Sequence, residues 1–185
     1  MQIIKTDIPE ILVVEPRIYT DDRGYFLETY RHEWLSEVGI NHDFVQDNLS
    51  RSVQGVLRGL HYQIQNAQAK LVMVTQGSVL DVAVDIRRGS PTFGRHVTML
   101  LSSENRRVMY IPEGFAHGFH VISPSADFLY KCSRYYDPSG ERGISWADKQ
   151  LEIDWGTTEP ILSPKDQILP ELSNVNSEDL PVYHG

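Results

Sequence analysis

Three side chains with complementary proton chemistry fall close together in an otherwise aliphatic, strand-like run. Arg58 and His61 lie in Gly55-Val56-Leu57-Arg58-Gly59-Leu60-His61-Tyr62-Gln63, and Lys70 follows in Ala69-Lys70-Leu71-Val72-Met73-Val74. An imidazole is a usable base near neutral pH, a guanidinium is a fixed cation, and an ammonium steadies a developing oxyanion. A base and two cations among apolar strands point to a pocket rather than a solvated face.

Further along the chain, Tyr130 offers a phenol that donates a proton, and an aspartate such as Asp81 on a strand behind a histidine fixes the imidazole tautomer. His117 shares a strand face with Phe115 and Phe119, while His120 points the other way. Tyr135 and Tyr136 alternate, so one of them is free to stack on a nucleobase. Arg23, Arg58 and Lys165 are candidates for an anionic group. Taken singly, each residue is better read as an ordinary core or surface residue; the set carries the chemistry.

Two other chemistries are disfavoured. A β-barrel metal set commonly opens with His-x-His, but here the pair reads His61-Tyr62-Gln63, and Lys70 stands where a carboxylate would help. No metal is expected. Nothing matches a dinucleotide fingerprint or a phosphate-binding loop.

The elements that must position these groups are short strands. Strand-like runs are read at Val13–Tyr19 (interrupted at Pro16), Tyr25–Glu28, Phe44–Asn48, Ala69–Thr75, Ser78–Ile86, Val97–Leu101, Val108–Pro112, Ala116–Val121 and Phe128–Ser133. Ala69–Thr75 and Ser78–Ile86 read as a hairpin through Gln76-Gly77. In the second of these, Leu80, Val82, Val84 and Ile86 share one face, and Val79, Asp81, Ala83 and Asp85 the other. Arg31–Val38 is the main helix, stopped by Gly39, and a short helix is expected near Asp166–Leu169. Many short strands with little helix mean an all-β sandwich or barrel.

The chain has 185 residues, enough for one domain, 1–185, with a substantial core. The net charge of −8 argues against general nucleic-acid binding, while local cations still suit an anionic small molecule. Its one cysteine, Cys132, excludes an internal disulfide and reads as a buried thiol. No apolar run is long enough for a membrane helix, and the start lacks a secretion signal, so a cytoplasmic protein is expected.

The blocks Asp22-Arg23-Gly24-Tyr25-Phe26, Gln46-Asp47-Asn48, Gly55 to Gln63, Gln68-Ala69-Lys70, Asp81 to Arg87 and Gly89 to Gly94 occur in one order. Pro112 to Phe119, Leu129-Tyr130-Lys131 and Leu162-Ser163-Pro164-Lys165-Asp166 follow them. In these blocks the chain resembles the dTDP-4-dehydrorhamnose 3,5-epimerase family of metal-free cupins. The resemblance implies an all-β cupin jelly-roll (a double-stranded β-helix) with a few short helices. It implies a homodimer whose sites are completed across the interface, a dTDP-sugar substrate and no cofactor.

It further implies that His61, backed by Asp81, abstracts a proton beside a sugar ketone, that Lys70 steadies the enolate and that Tyr130 returns a proton on the other face. Arg58 and His117 contact the substrate. Arg23, Glu28, Gln46, Asp47 and Asn48 bind the nucleotide, Tyr136 stacks on thymine, Glu141 and Lys165 match further nucleotide positions, and Asp166 lies close to the site. On a regular strand Arg58 and His61 would face opposite sides; Gly59 permits a bulge that would turn both inward, and an Arg58 that points away from the pocket would remove its role. The rival readings are a related cupin that inverts only C3 or moves the ketone, and a silent sugar-nucleotide-binding cupin.

Overall fold

The computed structural model describes residues 1–184. The strands are β1 (Gln2–Lys5), β2 (Leu12–Glu15), β3 (Ile18–Asp21), β4 (Gly24–Leu27), β5 (Gln46–Val53), β6 (Leu57–Gln63) and β7 (Lys70–Gln76). They continue with β8 (Ser78–Asp85), β9 (His96–Ser102), β10 (Val108–Ile111), β11 (Phe115–Val121), β12 (Ser125–Cys132) and β13 (Glu141–Gly143). The helix α1 is confined to His32–Ser36, shorter than the sequence pattern predicts, and Gly39 follows at a φ of 85°. The expected helix near Asp166 is a single 3-10 turn, Asp166–Ile168.

Two antiparallel sheets face each other. One runs β1-β2-β10-β7-β12-β5 and the other β13-β6-β11-β8-β9, with β3-β4 as a separate ribbon. Between the sheets lie Val72, Val74, Val79, Ala83, Phe119, Val121, Ala126 and Phe128. The outer face of the five-stranded sheet (Leu57, Leu60, Val82, Val84, Ile86) is covered by the C-terminal segment through Ile144, Leu151, Trp155, Leu172 and Leu180. The outer face of the six-stranded sheet (Leu12, Val14, Leu71, Met73, Val108) is covered in part by Leu35 and Trp34 of α1. This is the jelly-roll arrangement, with both sheets half-buried on two sides.

The expected β7–β8 hairpin is not formed: β7 belongs to one sheet and β8 to the other. Gly77 makes the corner between sheets at a φ of 75°, where a Cβ would lie 2.0 Å from the Ser125 carbonyl oxygen. A strand pair with a tight glycine turn reads the same in sequence whether it closes a hairpin or crosses a sandwich. The two-faced reading of β8 holds, with Val79 and Ala83 inside and Val82, Val84 and Ile86 outside.

β6 carries the bulge that Gly59 permits. Across the β6–β11 pair His117 faces His61 and Phe119 faces Arg58, so β6 carries one extra residue between them. Gly59 has a φ of 124°, and a Cβ there would lie 2.5 Å from the Gly118 Cα. Only glycine fits that crossing. The extra residue resets the alternation, so Arg58 and His61, three apart, both reach the interior.

Candidate active site

One end of the space between the sheets is a cavity of about 400 Å³ lined by Arg58, His61, Lys70, His117, Tyr130 and Asp166, with Phe119, Phe128, Ile161 and Leu162 as apolar wall. A second chamber of about 340 Å³ shares His61, Lys70 and Tyr130 with it and adds Gln46, Asn48, Cys132, Tyr136 and Glu141. The shared residues sit at the junction of the two chambers. Volumes of this size suit a small ligand held by a few convergent polar groups.

The groups come from different strands with matching parity. Lys70 starts β7 on the same face as the interior residues Val72 and Val74, and Tyr130 follows Ala126 and Phe128 on the interior face of β12. Gln46 and Asn48 lie two apart at the start of β5, joined by a hydrogen bond from Gln46 Nε2 to Asn48 Oδ1. His117 sits on β11 between Phe115 and Phe119.

The predicted pairing of His61 with Asp81 is wrong. His61 Nε2 lies 2.6 Å from Oδ1 of Asp166, and Asp81 instead faces His117, whose Nε2 lies 2.9 and 3.1 Å from its two oxygens. The reason is strand order. β11 lies between β8 and β6, so a β8 side chain meets β11 first and β6 only one strand further on. Asp166 comes from the C-terminal segment, which crosses beside β6 through a parallel bridge between Val56 and Ile161. Sequence alternation placed Asp81 on the correct face but not beside the correct neighbour.

The Asp166 carboxyl is 4% exposed. Burial pushes it up, but the His61 hydrogen bond and charge, the Ser163 contact and nearby Lys165 outweigh this and hold it below the usual carboxylate range. An ionised carboxylate only accepts, so Nε2 of His61 carries a hydrogen toward Asp166, and Nδ1 is the ring nitrogen left to exchange a proton with a ligand. Among the described residues that Nδ1 has no hydrogen-bond partner. Burial lowers the Lys70 ammonium, offset in part by Cys132, Asp81 and Glu141. Burial also raises the Tyr130 phenol, with Cys132 adding to the rise and Arg58 opposing it. Tyr130 therefore holds its proton at neutral pH.

At the outer chamber Glu141 accepts from the Tyr136 hydroxyl at 2.7 Å and pairs with Lys165 Nζ at 2.6 Å. Burial pushes the Glu141 carboxyl up, and Lys165 and Tyr136 bring it below its ordinary value. The Tyr136 hydroxyl is raised, first by that bond to Glu141. Arg58 donates to the Ser52 hydroxyl at 3.0 Å.

Four predicted residues line neither chamber: Asp81, which lies fully buried behind His117, and Asp47, Arg23 and Glu28. The Asp47 side chain sits between Gln46 and Asn48 on the opposite face of β5 and pairs with Lys131 at 2.8 Å, so its predicted place in the site is corrected by strand alternation. Arg23 and Glu28 belong to the β3–β4 ribbon and its exit, where they pair with Asp21 and Arg31, and neither lines this chain's cavity. Sequence reasoning missed the apolar wall of Ile161 and Leu162 and the structural use of Ser52, Gln63 and Ser163. Only the Leu162-Ser163-Pro164-Lys165-Asp166 block gave a signal for part of this. Among the described residues no group of three or more His, Cys, Asp or Glu is placed to hold a metal ion.

A jelly-roll with a histidine–carboxylate pair, a lysine and a tyrosine around one interior cavity is an enzyme of the cupin class. The family model for dTDP-4-dehydrorhamnose 3,5-epimerase matches residues 5–174. The chain is 54% identical over 169 residues to the Pseudomonas aeruginosa dTDP-4-dehydrorhamnose 3,5-epimerase, covering 90% of this chain and 93% of that one. It is 52% identical over 168 residues to the Shigella flexneri enzyme of the same name, with coverage of 90% and 93%. The crystal structure of the Legionella pneumophila dTDP-6-deoxy-D-glucose-3,5-epimerase in complex with dTDP-4-keto-L-rhamnose superposes with a TM-score of 0.97 at 53% identity, covering 100% of this chain and 99% of that chain. A 3'-monoepimerase from Streptomyces bikiniensis in complex with dTDP-quinovose superposes at 0.89 with 35% identity, covering 97% and 92%. The chain belongs to the dTDP-4-dehydrorhamnose 3,5-epimerase family.

Proposed function

We propose that the chain inverts C3 and C5 of dTDP-4-dehydro-6-deoxy-D-glucose to give dTDP-4-dehydro-L-rhamnose, a step in dTDP-L-rhamnose biosynthesis. The observation that carries this reading is the convergence of His61, Lys70 and Tyr130 at the junction of two chambers. Nδ1 of His61 takes the proton α to the C4 ketone, and the C–H electron pair moves onto the carbonyl oxygen as an enolate. Asp166 stabilises the imidazolium that forms. The Lys70 ammonium faces the enolate oxygen and lowers the cost of its charge. The Tyr130 hydroxyl then delivers a proton to the opposite face of the carbon; solvent reloads the phenol and takes the proton from the His61 imidazolium, which resets both groups. Repetition at the second α-carbon completes the inversion. His117, held by Asp81, and Arg58 contact the sugar and diphosphate, while Gln46, Asn48, Tyr136, Glu141 and Lys165 hold the nucleotide.

The experiment is turnover in D2O with NMR of the sugar. Deuterium at both C3 and C5 supports the reading. Label at C3 alone supports the second reading, a one-carbon epimerase, which the weaker likeness to the Streptomyces bikiniensis 3'-monoepimerase keeps as the alternative. In the Tyr130→Phe variant, C5 inversion falls by about 10²–10⁴-fold while dTDP affinity stays within twofold; wild-type turnover would refute the assigned acid.

The chain acts as a cytoplasmic homodimer. No described helix is long and apolar enough to cross a membrane. The β3–β4 ribbon and the free edge of β5 expose apolar side chains, with Phe26 at 65% and Leu49 at 66%, and an unpaired apolar edge of this kind favours a second copy. In that dimer Arg23 and Glu28 serve the neighbouring cavity. Mixing His61→Asn with Arg23→Ala tests this: hybrid dimers regain one intact site, whereas activity that stays at the sum of the two parents excludes sharing.

A further inference from the structure

Gln63 stands where the commoner barrel motif carries its second metal-binding histidine, two residues after His61 on the same face of β6. Its side chain is 6% exposed, borders the outer chamber and makes one hydrogen bond from each end of its amide. Oε1 accepts the Asp137 backbone N–H at 2.8 Å, and Nε2 donates to the Asn66 carbonyl at 2.8 Å. Asn66 in turn donates from Nδ2 to the Asp137 carboxylate at 3.1 Å. One buried amide thus joins the turn after β6 to the turn after β12.

That second turn carries Tyr136. The Tyr136 backbone N–H is held by Gln46 Oε1 at 2.9 Å and its hydroxyl by Glu141. With Gln63 on the next N–H, two consecutive amides of the turn are pinned from opposite sheets, by β5 and by β6. The ring remains half exposed at the mouth of the outer chamber, as a stacking platform requires. A platform whose orientation is fixed beforehand contributes more to binding, because ordering a loop on binding subtracts from affinity.

We infer that Gln63 is a positioning residue for nucleotide binding: its paired hydrogen bonds to Asp137 and Asn66 hold the turn that presents Tyr136, and so set affinity for the nucleobase rather than the rate of proton transfer. The inference rests on the reading that Tyr136 stacks on the base. The chemistry it serves is recognition of a pyrimidine nucleoside diphosphate.

The test compares Gln63→Leu and Gln63→Met, two apolar replacements of similar volume, with Tyr136→Leu and with the Gln63→Leu/Tyr136→Leu double variant. Calorimetric titration with dTDP gives Kd, and steady-state turnover gives KM and kcat. Tyr136→Leu is expected to weaken dTDP by roughly five- to hundredfold, the range for loss of one base–aromatic stack. The Gln63 variants are expected to raise Kd and KM by about five- to twentyfold with kcat within about twofold, and to add less than about twofold in the Tyr136→Leu background. Wild-type affinity in the Gln63 variants beside a weakened Tyr136→Leu overturns the inference alone, as do fully additive losses in the double variant. An equal fall in kcat in both Gln63 variants also overturns it, since that marks a general structural role. Unchanged affinity in Tyr136→Leu removes the stacking reading itself, and the inference with it.

Discussion

Replacing Asp166 by Asn separates the two histidine–carboxylate pairs of the cavity. The substitution keeps the shape of the side chain and an oxygen 2.6 Å from His61 Nε2, but removes the charge. Hydrogen bonds to charged groups contribute about 1.5–3 kcal/mol. That stabilisation is felt most when His61 becomes cationic, so the loss falls on proton abstraction. The rate of that step is expected to drop by roughly 10- to 150-fold, at 1.36 kcal/mol per factor of ten. This is less than the 10²–10⁴-fold expected for loss of the base itself in His61→Asn, taking the usual range for general-base catalysis as the rough scale. The assay is deuterium wash-in at C3 and C5 during a single turnover, with dTDP affinity measured in parallel and expected to stay within twofold. Asp81→Asn is the comparison, since Asp81 is 0% exposed and bonds His117 instead. It is expected to change substrate binding through His117. Wild-type wash-in by Asp166→Asn, with the defect found in Asp81→Asn, would refute the assignment of Asp166 as the partner of the base.

Lys70→Met should abolish turnover by about 10²–10³-fold, as for loss of an oxyanion donor, yet raise Tm by a few degrees. Burial lowers the Lys70 pKa from 10.5, so below that value the unfolded chain binds more protons and stability rises with pH through the window between the two values. Methionine removes that slope, and a lower Tm in the variant would count against a strained catalytic amine. Gly59→Ala should destabilise by about 3 kcal/mol or more, because the new Cβ would lie 2.5 Å from the Gly118 Cα. Urea denaturation reads this, and a midpoint equal to wild type would mean that β6 does not need its bulge. Asp85 is buried beneath Arg87, Ser90 and Thr92, whose hydrogen bonds outweigh burial and hold its carboxyl below the ordinary 3.8. Its folded pKa lies below the unfolded one, so its stabilisation is complete above about pH 3.9 and is lost as pH falls through the lower folded value. Asp85→Asn should flatten the acid limb of a stability–pH curve; an unchanged limb would assign acid sensitivity elsewhere.

The amino-acid sequence by itself determined the class of fold, the two faces of β8 and the shared face of Phe128 and Tyr130, and it marked Gly59 as a place where a bulge is permitted. These follow from local rules: side chains alternate along a strand, and a glycine permits an extra residue. It also determined the family, through ordered blocks. Only the tertiary structure decided which strand lies beside which. That order sends Asp81 to His117 rather than His61, and brings Asp166, more than a hundred residues along the chain, to the base. It also separates β7 from β8 across the sandwich although one glycine joins them. Periodicity fixes the side of a strand that a residue occupies; the neighbour it meets there depends on sheet order, which the non-local packing of the whole barrel sets.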